Sequence, residues 1–210
     1  MIQDGSMALF LYWNRLRGSR AAPRRMEIEP AEIKALLADT FILEQDARRR
    51  AVFRLAGTRI CSSYGKELKG HSFASLWAEN DQKVLGRLVE SALDDQSVVA
   101  VNFEGVSREG RSNPFELVIL PLDGGGERPH ALGTILPAAK PYWLGADPIL
   151  QNHLEGFRVI DPDREPVMLR SRPKVAVPPL FEDGGAPGEA LAGNGRRIRH
   201  LVVFDGGRRE

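Results

Sequence analysis

The chain has 210 residues, of which 42% are hydrophobic and 27% charged, a balance that fits a globular protein of one domain with sizeable ends. Its 29 Lys and Arg against 28 Asp and Glu leave a formal charge of +1, so no global field draws nucleic acid or a membrane surface. The single cysteine, Cys61, excludes an internal disulfide and a multi-cysteine metal centre and fits a reducing compartment. No apolar run approaches the ~20 residues of a membrane span. The short apolar stretch at 7–13 has its arginines after it and no small-residue cleavage site, so the expected location is the cytoplasm.

Residues 1–6 read as a loose start. Leu9, Tyr12, Trp13 and Leu16 then recur at i, i+3, i+4 and i+7 on one helical face, with Arg15 and Arg17 opposite and Gly18 as a stop. A basic loop follows. A second helix is expected over 30–38, with Pro30 at its first position and Ile33, Leu36 and Leu37 on one face. Residues 40–44 and 51–55 read as strands, the second with Phe53 and Leu55 on one face. The three glycines between 57 and 71 favour short helical turns. Asp81 is the expected N-cap of a helix over 82–94 that carries Val84, Leu85, Leu88, Val89 and Ala92 in one stripe. Residues 97–106 alternate apolar and polar, and 115–122 and 130–136 read as two further strands joined by glycine turns.

Five strands interrupted by helices give an α+β fold, and the last three, joined by short turns, should be antiparallel neighbours. The expected division is a helical extension at 1–39, a domain at 40–145, a Pro/Gly-rich linker at 146–197 and a terminal strand and tail at 198–210. Within it, 140–145 reads as an apolar clip against the domain, and 198–204 as a strand that returns to the body.

The segment 53–77, FRLAGTRICSSYGKELKGHSFASLW, resembles the PAS signature. The matching residues are Ala56-Gly57, Tyr64-Gly65, Glu67-Leu68, Gly70, Phe73 and Leu76-Trp77. More broadly the chain is similar to a family of stand-alone PAS-domain proteins from alphaproteobacteria, through Tyr12-Trp13, Leu16-Arg17-Gly18, Leu120-Pro121-Leu122, Trp143-Leu144-Gly145 and the run at 200–207. The resemblance implies a PAS fold, a five-stranded antiparallel sheet with short helices on one face and an N-terminal helical extension. It also implies a role in bacterial signalling, such as motility or cell-cycle control.

In such a fold one sheet face closes over the short helices, and the space between them is the default ligand pocket. The candidate lining is Phe53, Leu55, Tyr64, Phe73, Leu85, Val101, Phe103, Leu117, Ile119 and Leu132; the competing reading is that these residues simply fill the core. Leu9, Tyr12, Trp13 and Leu16 must be buried on the chain's own sheet or across a homodimer, and are taken as a partner or dimer interface. Arg15, Arg17, Arg20, Arg24 and Arg25 form a basic patch for an acidic partner or phosphate backbone, or else a solvated face.

Haem would need an axial ligand. His71 and His130 lie off the long helix on which haem-binding PAS domains place theirs. A photoactive flavin would need an N-C-R-F-L-like run, where this chain has Cys61 in RICSS, read as a buried, inert thiol. Neither cofactor is therefore assigned. No nucleophile with a base, phosphate loop or kinase core is legible, and the glycine run at 124–126 reads as a hairpin turn. The expected function is a sensory or protein-interaction module, not an enzyme, that acts through a homodimer and other signalling proteins such as a kinase or regulator. The alternatives are a DNA-associated transcription regulator using the basic N-terminal region, and a haem or flavin sensor.

Overall fold

Alternation in 97–106 and the apolar run in 115–122 form a meander at the centre of the computed structural model, which describes residues 3–124 and 128–163 and the backbone of 195–198 and 201–204. β3 (Val98–Ser107), β4 (Ser112–Leu122) and β5 (His130–Pro137) run antiparallel in chain order. β1 (Thr40–Gln45) and β2 (Ala51–Ala56) continue the sheet beyond β5. On the other side β6 (Ile149–Ile160) pairs with β3, giving the order β2-β1-β5-β4-β3-β6.

The sheet thus has six strands where five were expected, and the longest lies inside the stretch 146–197 read as linker. Its pattern is hard to read because it is an edge strand with two breaks in register, the first leaving Leu150 unpaired. Asn102 faces Gly156 and Phe103 faces Leu154, leaving Glu155 without a partner of its own. Such a bulge destroys the period of two.

α1 (Asp4–Arg17) begins inside the expected loose start, and Ser6 is already fully buried. Asp4 in its first turn and Arg15 and Arg17 in its last complement the helix dipole, and Gly18 ends it at φ 58°. The second expected helix does not form. Residues 30–39 close bonds of the i to i+3 kind, Ile33 N–H to Pro30 and Leu36 N–H to Ile33, and end in a 3-10 turn at Leu37–Asp39. The carbonyls of Leu37 and Ala38 lie against Gly57, where a Cβ would collide with both. This close approach fixes the turn. α2 (Thr58–Tyr64), a 3-10 turn at Phe73–Leu76 and α3 (Glu79–Asp94) follow. α3 starts before Asp81, whose carboxylate instead accepts the Leu154 N–H of β6 at 2.9 Å.

The two sheet faces carry two apolar clusters. On one, Phe41, Leu43, Val99, Val101, Leu117 and Ile119 meet α2, α3 and the Phe73–Leu76 turn. On the other, Val98, Ala100, Val118, Leu120 and Leu132 meet Leu9, Phe10, Tyr12 and Trp13 of α1. The chain divides into two compact units, Met1–Arg172 and Pro173–Glu210. In the second, the single strand expected over 198–204 is a hairpin: β7 (Gly195–Ile198) pairs antiparallel with β8 (Leu201–Phe204).

Candidate functional site

Eight of the ten residues expected to line a pocket are buried together on the α3 face of the sheet: Phe53, Tyr64, Phe73, Leu85, Val101, Phe103, Leu117 and Ile119. A chain of ring contacts runs through them from Phe41 by way of Phe53, Phe73, Trp77 and Phe103 to Phe115, with centroids 4.9 to 5.8 Å apart. The other two do not belong. Leu132 lies on the opposite face under α1, because it alternates with the inward Ala131. Leu55 is 48% exposed. β1 sets Ile42 against Leu55 but Leu43 against Phe53, so the extra residue Arg54 turns Leu55 off the face that Phe53 occupies.

A cavity of about 160 Å³ opens instead at the end of the sheet, between α2, the start of β4, the end of β5 and the clip at 140–145. None of the ten expected residues lines it. Ile60, Phe115, Ile135 and Leu144 give it an apolar floor, and Asp39, Arg59, Lys140, Ser62 and Ser63 a polar rim. Asp39 is buried and ion-paired to Arg59 at 2.9 Å. Burial pushes its carboxyl above the usual range, against the opposing pull of Arg59 and Lys140.

The clip itself is well anchored. Trp143 is buried in the α3-side cluster, and the Arg111 guanidinium stacks 5.2 Å from its ring centroid. Arg111 also donates to the buried Asp147 at 2.9 Å. Burial raises the Asp147 carboxyl, but hydrogen bonds from Ser107 and Arg111 outweigh it and hold the group below its ordinary value. Tyr64 is a further anchor. Its hydroxyl exchanges hydrogen bonds with the buried Asn152 of β6, at 3.2 and 2.9 Å, and burial drives its ionisation far upward. Asn152 escaped the sequence reading because the strand that carries it did.

The residues taken as a dimer interface are already spent on the chain's own sheet. Leu9, Tyr12 and Trp13 are buried, Leu16 is partly so, and the Trp13 indole N–H donates to the Pro121 carbonyl at 2.7 Å. The Tyr12 hydroxyl accepts the Glu29 N–H at 2.7 Å. The basic patch is likewise not a free cationic surface. Arg15 pairs with Glu32 and lies over the Tyr12 ring. Arg20 pairs with Glu27 at 2.9 Å. Arg17 is buried, lies over Trp13, and binds the Pro162 carbonyl and Asp163, each at 2.9 Å. Only Arg24 and Arg25 of the five carry no acidic side-chain bridge among the described residues, and the Arg24 N–H is held by Glu27. Three of the five arginines are thus paired locally.

His71 is exposed, in a segment whose main chain caps the edge of β2. His130 is buried on the α1 face, opposite Glu44 and Leu122, with its Nε2 3.6 Å from the Glu44 carboxylate. Burial, then Arg25 and Arg54, lower its pKa. Neither histidine reaches the α3-side cluster. Burial also pushes the Cys61 thiol up, and Glu67 beside it adds to the shift. No helix among the described residues is long and apolar enough to cross a membrane, and among those residues no cluster of His, Cys, Asp and Glu could hold a metal ion.

The two edges of the sheet differ. The outer edge of β2 is covered: Phe53 bonds through its N–H to His71 and through its carbonyl to Gly70, and Val52 bridges to Ser72. On β6 only the first half is covered, by Trp77 bridging to Asn152, by Ala78 N–H on the Asn152 carbonyl and by Asp81 on Leu154. From Glu155 to Ile160 no partner covers the outer edge among the described residues, and Phe157 and Val159 are 49% and 55% exposed there.

A family model described as a PAS domain matches residues 1–136. Among solved structures, the chain is similar to the PAS domain of a protein from Colwellia psychrerythraea, at 17% identity over 54% of this chain and 100% of that one, with a TM-score of 0.39. No curated protein matches it.

Proposed function

Since the chain belongs to the PAS-domain family, we propose that it is a cytoplasmic sensory and docking module of bacterial signalling, without catalysis of its own, which works by pairing with a second copy of itself. Its fold is the PAS fold with a sixth strand added beside β3. The observation that carries the reading is the open half of β6. An uncovered, apolar strand edge is a template for another strand, and proteins normally blunt such edges. Among the described residues β2 is blunted and the second half of β6 is not. Its sequence also suits a two-fold partner. Antiparallel pairing centred on Phe157 stacks that ring on its copy and sets each Arg158 across from the partner's Gly156, which leaves room for the long side chain. A downstream signalling protein, a kinase or regulator, then reads the dimer.

Light scattering over a protein concentration series tests this. The expected result is a reversible monomer–dimer equilibrium that Phe157→Lys abolishes while leaving the far-UV circular dichroism unchanged, since this side chain is half exposed. A chain that stays monomeric at hundreds of micromolar, or a dimer that Phe157→Lys leaves intact, overturns the reading.

A further inference from the structure

The cavity under the clip lies at the end of the ring-packed cluster and shares Phe115 with it, but none of the ten expected residues lines it, and it has the composition of a site. We propose that it binds a small apolar monocarboxylate, a ligand about the size of benzoate. The volume of about 160 Å³ is close to that of an apolar cavity, about 150 Å³, that accepts benzene. The floor of Ile60, Phe115, Ile135 and Leu144 suits a ring or a short branched chain.

The rim decides the head group. Arg59 and Lys140 bring two positive charges and Asp39 one negative, a net of +1 that a single carboxylate neutralises. A phosphate dianion would leave negative charge uncompensated beside the buried Asp39. An amine would have to take Asp39 from Arg59, which already holds it at 2.9 Å. Arg59 keeps further N–H donors, because a guanidinium carries five in a planar fork matched to a carboxylate. Its side chain is 51% exposed, so these donors are reachable. Ser62 adds a hydroxyl on the same side, and Gly145 lets the clip approach it. A Cβ at Gly145 would sit 2.9 Å from Ser62 Oγ, and its φ of +95° disfavours any side chain there. A side chain at 145 would therefore push against Ser62 at the rim.

The assignment rests on the sensory half of the function proposed above. The β6 mass measurement is made without added ligand, so either can fail alone. The test is titration of the full chain with sodium benzoate, followed by amide shifts in two-dimensional NMR, with benzamide as the neutral isostere. The expected result is saturable shifts at α2 and at 140–145, binding at least tenfold weaker for benzamide, and a similar loss for benzoate in Lys140→Met. That substitution lies on an exposed side chain, and an unchanged spectrum elsewhere confirms the fold. No saturable shift at α2 and the clip, equal binding of benzamide, or full benzoate affinity in Lys140→Met overturns the proposal.

Discussion

Removing Trp13 tests whether α1 is part of the sheet's own core. The side chain is fully buried, its ring lies 6.0 Å from that of Phe10, and its N–H is bonded to Pro121 at 2.7 Å. A Trp buries on the order of 200 Å², which at about 25 cal/mol per Å² is worth ~5 kcal/mol. Trp13→Ala also leaves the Pro121 carbonyl without its donor, a further loss of about 1 kcal/mol, while partial collapse of the site recovers some of both. Measured Trp truncations in cores cost about 3–5 kcal/mol, and a loss of about 4 kcal/mol is expected here. Trp13→Phe keeps most of the area and drops the N–H, so its cost should be about 1–2 kcal/mol. Urea unfolding followed by far-UV circular dichroism, in the Phe157→Lys background to remove the β6 contact, measures both. If α1 instead buried its face on a second chain, both losses would grow with protein concentration. Losses below about 1 kcal/mol for Trp13→Ala, or losses that depend on concentration, would refute the reasoning.

Two further outcomes concern charged groups. Arg111→Ala should destabilise the fold at pH 7, read as a lower midpoint in urea unfolding, because Asp147 loses a charge-assisted hydrogen bond. Because the Asp147 carboxyl is held below its unfolded value, this stabilisation is present above that value, about 3.9. It is lost as pH falls through the folded pKa, so wild type and variant should converge in acid. Glu116 behaves in the opposite sense. It is buried beneath the start of α1, and burial raises its pKa despite the Gln3 N–H at 2.6 Å and Ser6. Stability is then lost as pH rises from the unfolded value, about 4.3, through the folded one. Glu116→Gln, which keeps an acceptor for Gln3, should raise the thermal midpoint at pH 7 and leave it unchanged near pH 4.

The elements with a clean period were legible in the sequence. The i, i+3, i+4, i+7 face of Leu9, Tyr12, Trp13 and Leu16 marks α1, the stripe from Leu85 to Ala92 marks α3, and alternation in 97–106 marks β3. What failed did so where tertiary contact overrides the local pattern. Residues 30–38 have the face of a helix, but the close approach to Gly57 holds them as turns. Leu55 looked inward because Arg54 is not recognisable as a bulge from its neighbours. β6 looked irregular because two of its residues, Leu150 and Glu155, have no partner and about half its side chains face water. The cavity was invisible for a different reason. Asp39, Arg59 and Ser62, and Lys140 come from three separate segments and meet only once the sheet has closed. The partners of the arginines from 15 to 25 were not legible because a linear reading does not place Glu27, Glu32 and Asp163 against them.

The central claim is that the free half of β6 is a pairing edge. Deuterium uptake by the segment 155–160, compared with 149–154 over a hundredfold dilution series, addresses it most directly. The first half of the strand, held by Ala78 on the Asn152 carbonyl and by Asp81 on the Leu154 N–H, should stay protected throughout. In the second half, the outward-facing amides that do not bond to β3 should exchange fast when dilute, slow as concentration rises, and exchange fast at every concentration in Phe157→Lys. Uptake at 155–160 that ignores concentration, whether fast or slow, would contradict the account.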